Sequence, residues 1–256
     1  MKAFKKENLT VSVYNNPENM GKTAADFVTQ KLREAIVEKG HANLILATGA
    51  SQFTFLSALK QKNIPWGKVT VFHLDEYKGL SDTHPASFRR YLKERILDEV
   101  APAKIYFLNG DASDIALEMS QYEAVLKRKV IDIACIGIGE NGHIAFNDPP
   151  VADFNDPKLV KLVKLDEACR NQQFEEGWFP SLEDVPKEAL TLTVPAIMKS
   201  KVISCVVPDK RKAKAVYDAL CGEVTTACPA SILRRHADTT LFIDKAAASL
   251  LPEVAE

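Results

Sequence analysis

Short apolar segments alternate with longer amphipathic segments along the whole chain, and this alternation restricts the fold more than any other feature. Asp111–Lys129 and Asp209–Leu220 carry apolar residues at helical spacing. Alternating strands and helices are typical of a mainly parallel sheet with helices on both faces, so we predict a doubly wound α/β fold. The predicted strands are Leu9–Tyr14, Asn43–Ala47, Val69–Leu74, Lys104–Phe107, Ile131–Gly137, Leu159–Leu165, Leu190–Val194, Val202–Val207 and Thr240–Ile243.

Length and charge narrow the class of protein. At 256 residues with 46% hydrophobic content, the chain is predicted to form one domain over residues 1–256. Irregular stretches at 148–156 and 172–186 predict a small lid within 148–186. The net charge of −1 comes without a basic stripe, which argues against a nucleic-acid partner. No apolar run approaches the roughly 20 residues of a membrane span, so a small-molecule ligand is expected.

The cysteines and the first residues predict a cytoplasmic location. Five cysteines are an odd number, they form no C-x-x-C pair, and several lie in apolar segments, which is typical of buried thiols in a reducing compartment. The first six residues lack the apolar core of a signal peptide. The cysteines are Cys135, Cys169, Cys205, Cys221 and Cys228.

The first candidate site follows the second predicted strand. In an open α/β sheet, ligands bind beyond the carboxyl ends of the strands. Here the strand leads into Thr48, Gly49, Ala50 and Ser51, directly before a predicted helix. A glycine turn with two hydroxyls at such a position is typical of an anion site. The alternative interpretation is an ordinary helix N-cap by Ser51.

The second candidate site follows the third predicted strand, where Asp75 and Glu76 are adjacent. A carboxylate that is partly desolvated at a strand end has a raised pKa, which makes it a better base at neutral pH. The alternative interpretation is a pair of solvated turn residues.

The third candidate site is the loop after Ile131–Gly137. His143 and Asp148 are candidates for a base and its orienting partner, and Asn141 adds a neutral hydrogen-bonding group. Residues 137–142 also match the dinucleotide pattern G-x-G-x-x-G, but that pattern requires a helix here, and Pro149 follows too soon. An ordinary loop histidine is the simpler alternative. Lys212, at the start of a later helix, is a candidate anion ligand.

Three motifs together resemble the glucosamine-6-phosphate deaminase/isomerase family, and the resemblance covers nearly the whole chain. They are Leu46–Ser51, Leu74–Leu80 with His84–Phe88, and Gly137–Asn147, supported by Val185–Thr191, Lys212-Ala213 and Cys228–Ser231. The resemblance implies a Rossmann-like three-layer fold and an isomerisation with loss of ammonia that needs no metal or cofactor. It also allows a homo-oligomer, because the family is often oligomeric.

The resemblance assigns roles to the candidate residues. His143 would assist ring opening of an amino-sugar phosphate, oriented by Asn141 and Asp148, and Asp75 would move the C2 proton to C1. The remaining residues are assigned to substrate binding, most of them around the phosphate. They are Thr48, Gly49, Ala50, Ser51, Glu76, Gly139 and Lys212.

Two departures from the family pattern bear on the substrate. Asp148 stands where the family usually has Glu, which shortens the reach to His143. The family's phosphate-binding arginine is missing, with Gln173 and Glu175 in that stretch, and Arg170 matches a different family arginine. A different amino-sugar derivative is therefore an open alternative as substrate.

Two other functions stay open at this point. A sugar-phosphate lactonase of the same fold is one, although Ile144–Asn147 after the histidine is closer to the deaminase motif. A sugar-phosphate sensor with weak catalysis is the other, because both departures affect the pocket.

Overall fold

The computed structural model describes residues 2–252, which contain eleven strands and eight α-helices. The strands are β1 (Lys2–Lys6), β2 (Leu9–Tyr14), β3 (Ala42–Leu46), β4 (Val69–His73), β5 (Asp75–Tyr77), β6 (Lys104–Tyr106), β7 (Ile133–Ile136), β8 (Val160–Lys164), β9 (Glu188–Leu192), β10 (Val202–Val207) and β11 (Thr239–Asp244). The helices are α1 (Pro17–Lys39), α2 (Phe53–Leu59), α3 (Phe88–Leu92), α4 (Asp98–Val100), α5 (Ile115–Lys127), α6 (Glu167–Glu175), α7 (Val194–Met198) and α8 (Ala213–Cys221).

Eight strands form one large sheet in the order β1-β2-β11-β10-β7-β3-β4-β6. All neighbours pair in parallel except β1, which pairs antiparallel with β2 at the edge. The predicted doubly wound, mainly parallel α/β fold is therefore confirmed. The sequence prediction missed β1, because its alternation of lysines with apolar residues gives only a weak edge-strand signal.

Each face of the large sheet buries its own core, because side chains alternate along a strand. On one face Ile45 of β3 packs with α5, α7 and α8, through residues such as Tyr122 and Val216. On the other face Leu44 packs with α1 and α2, through residues such as Val28. The three layers predicted for the fold are therefore present.

Local signals in the sequence explain the long helix α1. Asn16 caps it by accepting a hydrogen bond from the backbone N–H of Asn19 at 2.9 Å, and Pro17 is its first residue. Gly40 ends it in the left-handed conformation, with φ at 81°. Among residues 2–252, no helix is long and apolar enough to cross a membrane.

The chain order reverses between β3 and β7, and this opens a crevice. After β3 the chain adds β4 and β6 on one side, then returns to place β7 on the other side of β3 and continues to β10 and β11. The connections that leave the carboxyl ends of β3 and β7 therefore diverge. The loops that begin at Ala47 and Gly137 lie beside this crevice.

A small second sheet stands at the same edge, and the sequence predicted it only in part. It is antiparallel, in the order β5-β9-β8. The segments predicted at Leu159–Leu165 and Leu190–Val194 are its strands β8 and β9, although β9 ends at Leu192 and α7 begins at Val194. The stretch from Gln172 was predicted to be irregular, yet α6 continues to Glu175.

Glu76, in β5, is buried and ties the small sheet to α3. Its carboxylate accepts hydrogen bonds from the Ser87 hydroxyl at 2.8 Å and from the Arg89 guanidinium at 3.2 Å. The backbone N–H groups of Tyr77, Phe88 and Arg89 also donate to it. Burial raises the pKa of Glu76, and these hydrogen bonds oppose part of that rise.

We expect Glu76→Ala to lower the free energy of unfolding by at least about 3 kcal/mol, because it removes a buried charge partner of Arg89 and leaves three N–H groups without an acceptor. Urea denaturation measures this. Glu188→Ala is the control, because Glu188 pairs with Lys78 at 2.6 Å in a half-exposed position and should cost less than about 1 kcal/mol. Equal losses in the two variants would contradict the anchoring role of Glu76.

Candidate active site

A pocket occupies the crevice at the carboxyl edge of the large sheet. Residues 47–51 after β3, 74 and 75 after β4, and 137–139 with 143 after β7 line it. Residues 172, 173 and 176, in and after α6, close it from the small sheet, and Phe88, Ala145, Phe146 and Lys212 complete the lining. Most of the candidate residues read from the sequence therefore lie around one pocket.

The loop after β3 presents backbone N–H groups to the pocket. Gly49 has φ at 95°, a conformation that favours glycine, and its carbonyl accepts from the Tyr91 hydroxyl at 2.8 Å. Among the described residues, the N–H groups of Gly49, Ala50 and Ser51 have no acceptor. Ser51 does not cap the helix, and instead accepts from the Gln52 side chain at 3.0 Å. This geometry suits an anionic or strongly polar ligand group.

His143 is held from one side by two acceptors. Its Nδ1 lies 2.7 Å from Oδ1 of Asn141 and 2.9 Å from Oδ1 of Asp148. Two acceptors at one ring nitrogen require that Nδ1 carries the proton. The Nε2 atom has no hydrogen-bond partner among the described residues, and the ring lines the pocket. The Nε2 atom therefore faces the ligand space and can exchange a proton with a ligand.

Asp148 is buried and stays ionised. Burial by itself would raise its pKa, but the hydrogen bond and charge of His143 and the hydrogen bond from Asn141 outweigh burial and lower it. The Asn141 amide donates to Asp148 at 3.0 Å and to Asp166, the N-cap of α6, at 3.2 Å. Asp148 can therefore orient His143 and stabilise its protonated form.

Gly139 makes room for the His143 ring. A Cβ atom at position 139 would overlap the imidazole ring atoms, and the Gly139 N–H donates to the His143 carbonyl at 2.9 Å. Gly142 has φ at 84° and allows the turn between them. These glycines account for the G-x-G-x-x-G pattern in a loop that is not followed by a helix.

Asp75 lies at the junction of the two sheets, between the end of β4 and the start of β5. It is buried, it lines the pocket, and among the described residues no hydrogen bond satisfies its carboxylate. Burial, and then the charge of neighbouring Glu76, raise its pKa well above the ordinary value. Such a carboxylate is a stronger base toward a ligand than a solvated one.

Lys212 contributes a buried ammonium group to the pocket lining. Its Nζ lies 3.8 Å from Glu140 and 4.0 Å from Glu176. Burial lowers the pKa of Lys212, and the two carboxylates oppose part of that change. The two carboxylates therefore favour the charged ammonium form against the cost of burial.

Two sequence assignments, Glu76 and Glu175, differ from where the structure places the residues. The Glu76 carboxylate is engaged at the start of α3 and does not line the pocket. Glu175 is exposed, and Glu176 faces the pocket in its place. Arg170 donates to the backbone carbonyls of Leu182 and Val185, away from the pocket.

The sequence reasoning assigned no role to Asp166, Gln172 or Glu176. Asp166 hydrogen-bonds Asn141, and the other two face the ligand space. For Gln172 and Glu176, the only sequence signal was the departure from the family pattern in the stretch from Cys169 onward.

One group of described side chains is close enough to share a cation. Single ligand atoms of His143, Asp148 and Cys169 lie within 4.8 Å of one another. The Nδ1 of His143 already donates to two acceptors, and burial raises the pKa of the Cys169 thiol well above its ordinary value. The donor set is therefore poorly suited to a metal ion, which requires a thiolate and a free imidazole lone pair.

Comparison with known proteins places this geometry in a family. The family model for glucosamine-6-phosphate isomerases/6-phosphogluconolactonase matches residues 15–242. The chain belongs to this family. A glucosamine-6-phosphate deaminase of Exiguobacterium sibiricum is 40% identical over 228 residues, covering 89% of this chain and 88% of the relative. One from Bacillus cereus is 33% identical, covering 96% and 90%.

Solved structures of the glucosamine-6-phosphate isomerase family share the fold. A monomeric glucosamine-6-phosphate deaminase superposes with a TM-score of 0.86 and 33% identity, covering 94% of this chain and 99% of that one. A 6-phosphogluconolactonase from Shewanella baltica superposes with a TM-score of 0.74 at 20% identity, covering 91% and 96%. The second likeness shows the fold alone.

We expect Gly139→Ala to destabilise the protein by about 1–3 kcal/mol and to displace the His143 ring, because the new Cβ overlaps the imidazole. Chemical denaturation and the NMR signals of the imidazole measure the two effects. Gly67→Ala is the matched control, since a Cβ there meets no atom within 4 Å. Unchanged imidazole signals in Gly139→Ala would contradict the packing argument.

We expect Asp75→Asn to raise the free energy of unfolding at pH 7 by about 1 kcal/mol or more, because Asn removes a buried charge. The folded-state pKa of Asp75 is raised. Its favourable contribution to the free energy of unfolding is therefore fully present below the unfolded-state pKa and is lost as pH rises through the folded-state pKa. The stability gap between variant and parent should therefore widen from acidic to neutral pH in denaturation series. A stability difference that stays constant with pH would contradict the raised pKa of Asp75.

Proposed function

We propose that this protein is an amino-sugar deaminase/isomerase that converts glucosamine 6-phosphate, or a closely related amino sugar, to the ketose and ammonia. One observation carries the proposal. A buried carboxylate with a raised pKa, Asp75, lines the same pocket as the oriented imidazole of His143. Family membership and the relatives named glucosamine-6-phosphate deaminase support it.

In the proposed reaction His143 acts first. The ring-closed sugar gives its O1 proton to the free Nε2 of His143 and receives a proton at the ring oxygen, which opens the ring to an aldehyde. Asn141 and Asp148 hold Nδ1, so that the imidazole keeps its orientation while its charge changes.

Asp75 carries out the isomerisation. It takes the proton from C2 of the open chain while the C1 carbonyl oxygen gains a proton, and an enolamine forms. Asp75 then returns the proton to C1, which leaves an iminium at C2. Water adds to C2, the C–N bond breaks, and ammonia leaves with the ketose as the other product. Hydrolysis of the C–N bond is thus the last step.

The remaining assignments belong to the same proposal. Thr48, Gly49, Ala50, Ser51 and Lys212 bind the end of the sugar away from the reacting carbons, and Gly139 contacts the sugar beside His143. Glu76 acts through the position of its neighbour Asp75. The single domain over residues 1–256, the lid within 148–186, the cytoplasmic location and the homo-oligomer all stay predictions, and one solved relative is described as monomeric.

The test is to incubate the protein with glucosamine 6-phosphate and with free glucosamine, and to measure ammonia and the corresponding ketose. We expect ammonia and ketose in equal amounts from at least one substrate. Asp75→Asn should lose turnover by at least about 100-fold while staying folded, because proton transfer by a positioned side chain contributes about that much.

Two outcomes would overturn the proposal. Hydrolysis of 6-phosphogluconolactone without ammonia release from any amino sugar would assign the lactonase activity instead. Calorimetry that shows tight binding of amino-sugar phosphates without turnover would assign the sensor function.

A further inference from the structure

The loop after β3 is anchored through one glycine carbonyl. The Gly49 carbonyl oxygen accepts two hydrogen bonds, from the Tyr91 hydroxyl at 2.8 Å and from the Gln52 backbone N–H at 3.1 Å. The same peptide plane carries the Ala50 N–H, and in a trans peptide the C=O and N–H bonds point in opposite directions. The bound carbonyl therefore turns the Ala50 N–H away from Tyr91 and leaves it, unpaired among the described residues, in the pocket lining.

The peptide plane after Gly49 needs an anchor from outside the loop. Gly49 has φ at 95° and ψ at 166°, and no atom lies within 4 Å of the position that a Cβ would take. A glycine backbone rotates more freely than that of any other residue. The Gln52 N–H belongs to the same loop and moves with it. Within residues 2–252, the Tyr91 hydroxyl is therefore the group that fixes this carbonyl from another element.

Packing holds the Tyr91 side chain in place. Its ring stacks on Phe53, with the centroids 5.9 Å apart, and the Trp178 ring packs edge-on at 6.1 Å. Burial raises the pKa of the Tyr91 hydroxyl, so the group keeps its proton and acts as a donor. Tyr91 is not among the residues that line the pocket. Its influence on a ligand therefore passes through the Gly49 carbonyl.

Helix α3 connects Tyr91 to the strand that carries Asp75. The Tyr91 N–H donates to the Ser87 carbonyl at 2.9 Å, in the first turn of α3. The Ser87 hydroxyl and the Arg89 N–H both donate to Glu76, at 2.8 Å and 3.0 Å. Glu76 directly follows Asp75 in β5. The position of the Gly49 carbonyl relative to Asp75 is therefore set through α3.

We propose that Tyr91 is a positioning residue for the phosphate of the substrate: its hydroxyl fixes the Gly49–Ala50 peptide so that the Ala50 N–H donates to a phosphate oxygen. A phosphate offers acceptors, which match the unpaired N–H groups of this loop and the Lys212 ammonium in the same lining. The inference rests on the proposed deaminase/isomerase reaction of a sugar phosphate, and adds to it a residue that does not contact the reacting carbons.

The first experiment compares the kinetics of ammonia release from glucosamine 6-phosphate in the parent and in Tyr91→Phe, which removes the hydroxyl and keeps the packed ring. We expect KM to rise at least about fivefold, the size of one weakened hydrogen bond. We expect kcat to stay within about twofold, because Asp75 and His143 keep their surroundings.

Thr29→Val is the matched control for the loss of a buried hydroxyl. The Thr29 hydroxyl also donates to a backbone carbonyl, that of Ala25 at 2.7 Å, in α1 and outside the pocket lining. Thr29→Val should lower the free energy of unfolding in urea denaturation and leave KM unchanged. A rise in KM that is equal in the two variants would reduce Tyr91 to a general structural role and overturn the proposal.

A second measurement needs no turnover. In calorimetry with inorganic phosphate, Tyr91→Phe should bind at least about fivefold more weakly than the parent, and Thr29→Val should bind equally well. Unchanged phosphate affinity in Tyr91→Phe overturns the role of Tyr91, and so does a loss confined to kcat. If the parent releases no ammonia from glucosamine 6-phosphate, the proposed reaction fails, and the phosphate affinities alone decide the role of Tyr91.

Discussion

The reversal of strand order between the parallel strands β3 and β7 is the constraint on which the pocket depends. The connections that follow two adjacent parallel strands leave in opposite directions here, so neither connection covers the space above the carboxyl ends of the strands. The β3 loop and the β7 loop therefore meet at a crevice, and the small sheet with α6 covers it from the side. His143 and the Thr48–Ser51 loop belong to these two connections, and Asp75 follows the adjacent strand β4.

The crevice places charged groups where burial works against them. Asp75 is buried with a raised pKa, and Lys212 is buried with a lowered one. Stable protein interiors avoid such groups unless they are paired, and here the pairing is left incomplete on the pocket side. Glu76, the next residue after Asp75, differs from it because its carboxylate accepts five hydrogen bonds. Neighbouring carboxylates thus differ in function because their partners differ.

The large sheet was predictable from the sequence, because short continuous apolar segments and helical spacing are local signals. The segments that contain Thr48, Asp75 and His143 could be predicted to meet, because ligands bind beyond the carboxyl ends of parallel strands. The antiparallel sheet β5-β9-β8 was less predictable, since β5 has only three residues and its pairing with β9 spans over a hundred residues of chain. The packing of α6 against distant segments places Glu176, and not Glu175, at the pocket. No local sequence pattern predicts that packing.

The residues that line the pocket come from two separate parts of the fold. Asp75 and His143 are fixed by the ends of β4 and β7 in the large sheet, where a displacement would disturb the core. Glu176 and Gln172 belong to α6 and the turn after it, which pack on the small sheet and its aromatic cluster. Substitutions in α6 can therefore alter the charge of the pocket lining while Asp75 and His143 keep their positions. Of the two departures from the family pattern, one lies in the stretch from Cys169 to Glu176, and the other, Asp148 in place of Glu, contacts His143.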